Sequence, residues 1–416
     1  MDLCTTLLLA ALAAGPAPEA GGDAGVPAPA FEPDAGAKPP DVPAVAEPSQ
    51  LSPPKPAPKV ETEAGPRELL VGLSGVFRPF LSVQTWFFYD RFPPSGCSAS
   101  DCVTSFSTFR FRRAEMGLTG ELLDGKLAYK ATIEPARLLE FVDKTLKVSG
   151  TPNATVVAKQ PQQSSSILND LLATYLFTAV DITAGQFRVP VSWEGYNSSA
   201  RLLFPERALV TRIYGDRRDI GLRLAKTFKH FGYGVFLFNG AGQNNLDVNN
   251  GKDAAVRLET YPIEGMILAL AYYGSVGLRA DKGARDFLEA DFRYQSQKVG
   301  PVSFLVQSEF IRGWNRPETN APFNPSYGFY VAAAATALDT VQAAVRFTHF
   351  DPSLGREGAG AFAPGVGFNS EVNVYEAGLN WFIRKDEVKI QASYGFFDWK
   401  TVPAEHQVIV SNQLSF

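Results

Sequence analysis

Apolar and polar residues take turns, one by one, along segments spread over most of this chain. In GKLAYKATIE, Leu127, Tyr129, Ala131 and Ile133 alternate with Lys126, Lys130, Thr132 and Glu134. In FLEADFRYQ, Leu288, Ala290, Phe292 and Tyr294 alternate with Glu289, Asp291, Arg293 and Gln295, and DEVKIQASYGF repeats the scheme from Val388 to Phe396. A period of two belongs to strands with unlike faces, whereas a helix repeats at about 3.6 residues. The segments are also long, near the ~9–11 residues with which a tilted strand crosses a bilayer. Soluble sandwiches alternate too, but with shorter strands, and they rarely grow to this size as one unit.

The connections separate the two options. Tight ones (LLDG, TAVD, KHFG, YPIEG, TALD, RKDE) take turns with long ones rich in Gly, Asn, Ser and Pro. Short turns at one rim and long loops at the other mark an outer-membrane barrel. The pattern predicts strands over 68–83, 105–120, 125–135, 169–178, 181–190, 217–228, 231–240, 252–261, 265–275, 284–297, 300–314, 327–336, 339–350, 370–384, 386–398 and 406–416. About sixteen is an even number, as single-chain bacterial barrels require, and enough for an aqueous channel. The expected fold is an all-β, transmembrane antiparallel barrel with short periplasmic turns and long extracellular loops.

The chain's end agrees. QVIVSNQLSF places Val408, Val410, Leu414 and Phe416 on one face, with Asn412 among them. Its last strand must pair with the first, because an open edge in hydrocarbon leaves backbone groups unsatisfied. A terminal Phe416 then fits the aromatic girdle at the membrane interface.

The net charge of −4 divides unevenly. Residues 1–66 carry nine acids against three Lys, so the remainder holds 36 basic and 34 acidic side chains. A near-neutral body implies no nucleic-acid partner. The start, MDLCTTLLLAALAAG, has the apolar run and small-residue exit of a secretory signal, although Asp2 replaces the usual base. Residues 1–20 are expected to be that signal. Residues 21–66, dominated by Ala, Pro, Gly and acids, are a disordered linker, and 67–416 form the barrel. Cys97 and Cys102 (CSASDC) suit a small disulfide loop in an oxidising compartment.

Enzyme signals are thin, and no catalytic residue, cofactor or metal site is expected. No G-x-S-x-G occurs, and His230, His349 and His406 lack metal-ligand spacing. DVNNGKD at 247–253 has its glycine one place early for a calcium loop and reads as a polar surface loop. Glu289 and Asp291 share a face with Arg293, which suggests a lumen salt bridge.

Residues 185–224 stand apart. They hold Arg188, Arg201, Arg207, Arg212, Arg217, Arg218 and Arg223, no Lys and four acids. Arg217, Asp219 and Arg223 share parity opposite Ile220, Leu222 and Leu224, which turns them toward the lumen. A cluster of permanently charged guanidinium forks in a pore favours anions. The equal alternative is that they are ordinary lumen charges paired with Glu194, Glu206 and Asp216. In FRFRRAE (109–115) the phase conflicts: Met116 and Leu118 put Arg112 on the lipid side, Phe109 and Phe111 in the lumen. One bulge between 111 and 114 resolves it and leaves open which of Arg112 and Arg113 faces the channel.

In FRFRRAEMGLTGEL, LNDLLATYLF, AGQFRVPVSWEGYNSS, FPERALV, GDRRDIGLRL and FGYGVFLFNGAGQ, in this order, the chain resembles the phosphate-selective porin O/P family. The resemblance spans 67–416 and is most specific over 105–240. It implies a sixteen-stranded, usually trimeric porin whose third long loop, roughly 190–216, folds into the lumen. Arg112 and Arg113 match the family's double arginine, and Arg217, Arg218 and Arg223 its basic strand after the loop. In phosphate-specific members such arginines line an anion path. The expected function is passive diffusion of small hydrophilic solutes, anions preferred, with Arg201 and Arg207 narrowing the pore. A general porin, a barrel adhesin or anchor, and an outer-membrane hydrolase are the alternatives.

Overall fold

The computed structural model describes residues 69–71, 75–91, 105–139, 141–147, 155–161, 167–276, 286–314, 325–352, 371–400 and 403–416. The expected signal, the linker up to residue 66 and the Cys97–Cys102 loop lie outside the described residues.

Sixteen antiparallel strands close into a barrel. They are β1 (Gly75–Arg91), β2 (Ser105–Leu122), β3 (Leu127–Ile133), β4 (Leu168–Leu176), β5 (Asp181–Arg188), β6 (Arg218–Thr227), β7 (Phe231–Phe238) and β8 (Lys252–Thr260). The second half comprises β9 (Met266–Val276), β10 (Phe287–Gln295), β11 (Val302–Gly313), β12 (Ser326–Ala337), β13 (Val341–Asp351), β14 (Val372–Arg384), β15 (Val388–Trp399) and β16 (Glu405–Ser415). Each pairs with its sequence neighbours, and β16 pairs with β1 from His406↔Arg91 to Ser415↔Ser82. Leu81 and Phe416 then exchange two backbone hydrogen bonds of 2.8 and 2.9 Å, so the chain's last residue closes the wall.

The first strand departs from expectation. It runs on to Arg91 rather than stopping near 83, and Leu69–Val71 is a separate short strand paired with Gly75–Phe77. The alternation blurs there because β1 has apolar residues on both faces: Trp86, Phe88 and Ile409 form a small cluster inside the barrel. A further two-stranded sheet (Phe141–Lys147 with Thr155–Pro161) lies in the β3–β4 connection, where no strand was expected.

Outside, the expected faces hold. Leu222, Leu224, Leu258, Leu270, Val410, Leu414 and Phe416 are exposed, as a lipid-facing wall requires. Tight turns carry residues in left-handed conformation, including the consecutive pair Leu338 and Asp339 (φ 54° and 58°), the geometry that matches strand twist in a two-residue hairpin.

The lumen is not open across its full width. Residues 189–217, the third long connection, fold inward as expected and fill much of one side. Apolar residues of this loop (Leu203, Phe204, Val210, Ile213, Tyr214) pack on inward-facing Phe287, Ile311, Tyr330, Phe350, Val372 and Val374 of the opposite wall. The barrel's width alone suggested an aqueous channel rather than a packed interior. The loop is too apolar to stand in water, and the wall strands supply matching apolar residues on their inner parity.

Candidate functional site

The loop begins after β5, where helix α1 (Trp193–Tyr196) is capped by the Ser192 hydroxyl, which accepts a hydrogen bond from the Gly195 amide at 3.1 Å. A 3-10 turn (Ser199–Arg201) and helix α2 (Leu209–Tyr214) follow. Between them the chain is irregular, and its carbonyls need donors. The far wall supplies them: Lys389 donates to Ala200 O at 2.7 Å, Gln391 to Leu202 O at 3.2 Å and Asn380 to Leu203 O at 2.9 Å. Arg346 donates to Glu206 O at 3.0 Å. Its guanidinium also meets Glu376 at 2.5 and 2.8 Å and Glu194 at 3.4 Å, and lies 4.5 Å from the centre of the Phe204 ring. Two wall glycines make room for the loop. A Cβ on Gly328 would meet the Val210 side chain at 2.9 Å, and one on Gly378 would meet Phe204 at 3.0 Å.

What remains open runs between this loop and the wall of β1–β6. Toward the short-turn rim is a cavity of about 750 Å³. Its charged lining is Arg78, Lys130, Arg188, Arg201 and Arg223 against Glu115, Glu121, Asp170 and Glu387. Toward the long-loop rim is one of about 240 Å³, lined by Arg112, Arg113, Arg137, Arg188, Arg207 and Arg218 against Glu115, Glu134 and Asp216. Both linings include Glu115, Arg188 and Ser199, so the two cavities adjoin at that level.

The expected bulge is present. The β1–β2 register steps from Thr85↔Phe111 to Gln84↔Arg113, leaving Arg112 as the extra residue. Both arginines therefore turn inward. Arg112 and Arg113 hold the two oxygens of Glu206 at 2.8 and 2.9 Å. Burial pushes the Glu206 carboxyl up, but Arg112, Arg113, Arg212 and Arg207 outweigh it and hold it well below the usual carboxylate range. Arg207 pairs with Asp216 at 3.0 Å. Burial lowers Arg207 to about 10, so it remains charged at neutral pH. The Asp216 carboxyl also lies low: burial opposes this, and Arg207, Arg188 and Arg218 prevail.

Strict parity sets Arg218 with lipid-facing Ile220, yet Arg218 is buried inside, 2.7 Å from Asp170. As the first residue of β6 it still follows the loop's path. Arg188 donates to the carbonyls of Gly195 (3.2 Å) and Asn197. Arg223 bonds the Thr183 hydroxyl at 2.9 Å and the Tyr196 hydroxyl at 3.3 Å. Arg217 sits over Tyr273 and Phe287, 5.1 and 5.3 Å from their centres. Among the described residues Arg188, Arg217 and Arg223 meet no carboxylate in an ion pair, while Arg112, Arg113, Arg207 and Arg218 do. Ion pairing thus divides the arginines residue by residue, and Arg218 takes Asp170 as its partner rather than the expected Glu194, Glu206 or Asp216. Arg201 lines the lower cavity, on the 3-10 turn that borders it.

Sequence reasoning missed some lumen pairings. Glu289 and Asp291 bind Arg257, at 3.1 and 2.6 Å, rather than Arg293. Arg293 instead stacks 4.9 Å from the Trp193 ring, a contact with the loop that same-strand spacing cannot reveal. Glu115 went unnoticed too, although two residues beyond the double arginine its parity, opposite Met116, already pointed inward.

Residues 98–288 match the family model for phosphate-selective porin O and P. The chain is similar in fold to OmpF of Salmonella typhi in complex with daunomycin, at TM-score 0.54 and 13% identity over 84% of this chain and 100% of that one. It is also similar to the outer membrane channel DcaP of Acinetobacter baumannii (TM-score 0.53, 11% identity, 84% and 99% covered). A loop-deleted OmpT, an outer membrane protein of Vibrio cholerae, gives TM-score 0.52 at 12% identity, with 82% and 99% covered. No curated protein gives a significant match. Residues 98–288 are thus similar to the phosphate-selective porin O and P family, and the closed cylinder is a porin-fold barrel of the bacterial outer membrane.

Proposed function

We propose that the protein is a passive channel through which small hydrophilic solutes diffuse down their gradients, with anions, phosphate or its relatives, preferred. The observation that carries this reading is the polar passage between the loop and β1–β6, whose upper cavity sets six guanidinium groups against three carboxylates. Guanidinium forks suit phosphate-like oxygens, and fixed cations in a narrow passage raise the local concentration of anions. Arg188 and Arg223 contribute most, because among the described residues neither is held in an ion pair. Solutes move by diffusion, so the reading calls for no chemical step and no cofactor. The family likeness supports a homotrimer in outer-membrane lipid, which the mass of the detergent-extracted protein tests.

Reconstitution in a planar bilayer under a potassium chloride gradient tests the selectivity. A reversal potential of anion-selective sign is expected, reduced by Arg188→Ala and Arg223→Ala. Cation selectivity that survives both substitutions would overturn the anion preference and leave a general porin.

A further inference from the structure

The two cavities adjoin at a level lined by Glu115, Arg188 and Ser199. Arg188 is fastened to loop carbonyls, and the Ser199 carbonyl accepts from Gln84 at 3.3 Å. Glu115 differs. It is half-buried on β2, and among the described residues no ion pair or hydrogen bond engages its carboxylate. Other acids around the passage are committed: Glu206 to Arg112 and Arg113, Asp216 to Arg207, Asp170 to Arg218 and Lys130. Arg218 feels its charge across the passage but does not pair with it, so this carboxylate at the junction of the two cavities acts on whatever crosses.

Resting on the anion-channel reading above, we propose that Glu115 is the specificity-determining residue that limits the charge of the passing solute, favouring monoanions over dianions. Its repulsion scales with solute charge, so a dianion meets twice the electrostatic free energy that a monoanion meets. Conduction also requires that a site attract strongly enough to fill and weakly enough to empty. Arginines alone would hold a dianion too long, and one carboxylate among them that no ion pair engages prevents it.

The test is Glu115→Gln in the full chain, with Glu115→Asp as the charge-retaining control. Permeability is read from reversal potentials in potassium chloride and potassium sulfate gradients. Since the carboxylate accepts no hydrogen bond, the isosteric amide leaves the fold intact, checked by circular dichroism in detergent. Neutralisation is expected to raise chloride permeability relative to potassium by about threefold and sulfate by about the square of that. Glu115→Asp is expected to keep the wild-type ratio. A sulfate-to-chloride ratio unchanged in Glu115→Gln, with anion preference intact, would overturn the role of Glu115 alone. Cation preference in the wild type would overturn the channel reading and this proposal with it.

Discussion

Replacing Arg346 by Met should release the lumen loop from the far wall. The guanidinium, buried to 3% exposure, touches Glu376 twice, Glu194, the Glu206 carbonyl and the face of Phe204. Met fills a similar volume, so the cavity contribution is small. The electrostatic one is not, because Glu194 and Glu376 lose the cation they share in a confined space. Breaking a buried pair from one side costs about 3–5 kcal/mol, and the lost guanidinium–ring contact adds up to about 2 kcal/mol. The open-loop population should then rise by at least about 100-fold, at ~1.4 kcal/mol per tenfold. Limited trypsin digestion reads this, since the loop carries Arg201, Arg207 and Arg212. Cleavage there should accelerate, and single-channel current should become noisier. Adding Glu194→Gln and Glu376→Gln should restore part of the resistance by removing the acids left without their cation. Trypsin rates and current noise equal to wild type in Arg346→Met would refute the reasoning.

Three further outcomes are expected. Glu206→Gln frees Arg112 and Arg113, so anion selectivity in a salt gradient should rise by a few-fold while the melting temperature in detergent falls; a shift toward cations would contradict it. The Glu206 and Asp216 carboxyls are held below their ordinary values, so the stability they contribute is present above the unfolded range near pH ~4 and lost only as pH falls through the lower folded values. Trypsin resistance of the loop should therefore be unchanged from pH 7 pre-incubation down to about pH 4.5 and fall below that, whereas loosening near pH 6 would show that the arginines do not hold these groups ionised. Gly378→Val presses a side chain on Phe204, where even a Cβ sits 3.0 Å away, and should destabilise the loop by about 1–3 kcal/mol, seen as faster digestion; no change would mean the loop is not seated on β14.

The barrel was legible because period-two patterning is imposed residue by residue by lipid on one side and polar lumen on the other. The bulge at Arg112 was legible for the same reason: two halves of FRFRRAE disagreed in phase, and one extra residue reconciles them. Less visible was how the lumen fills. Phe236 and Phe238 stand on the inner parity of FGYGVFLF, and Gly328 and Gly378 on the inner parity of their strands, which marks a wall prepared for an apolar visitor. Which segment visits is a long-range fact that local patterning does not encode. Pairings such as Arg218 with Asp170 and Arg293 over Trp193 depend on the loop's path and on strands distant in sequence, so only the assembled barrel specifies them.

Cysteine labelling during single-channel recording probes where water runs. In a background with Cys4, Cys97 and Cys102 replaced by Ser, Thr119→Cys and Ser199→Cys border the lower cavity, while Thr348→Cys points inward beneath the loop. A charged thiol reagent should block current through the first two and leave the third untouched. Block at Thr348→Cys with none at Thr119→Cys or Ser199→Cys would put the conducting path on the other side of the loop and contradict the passage described.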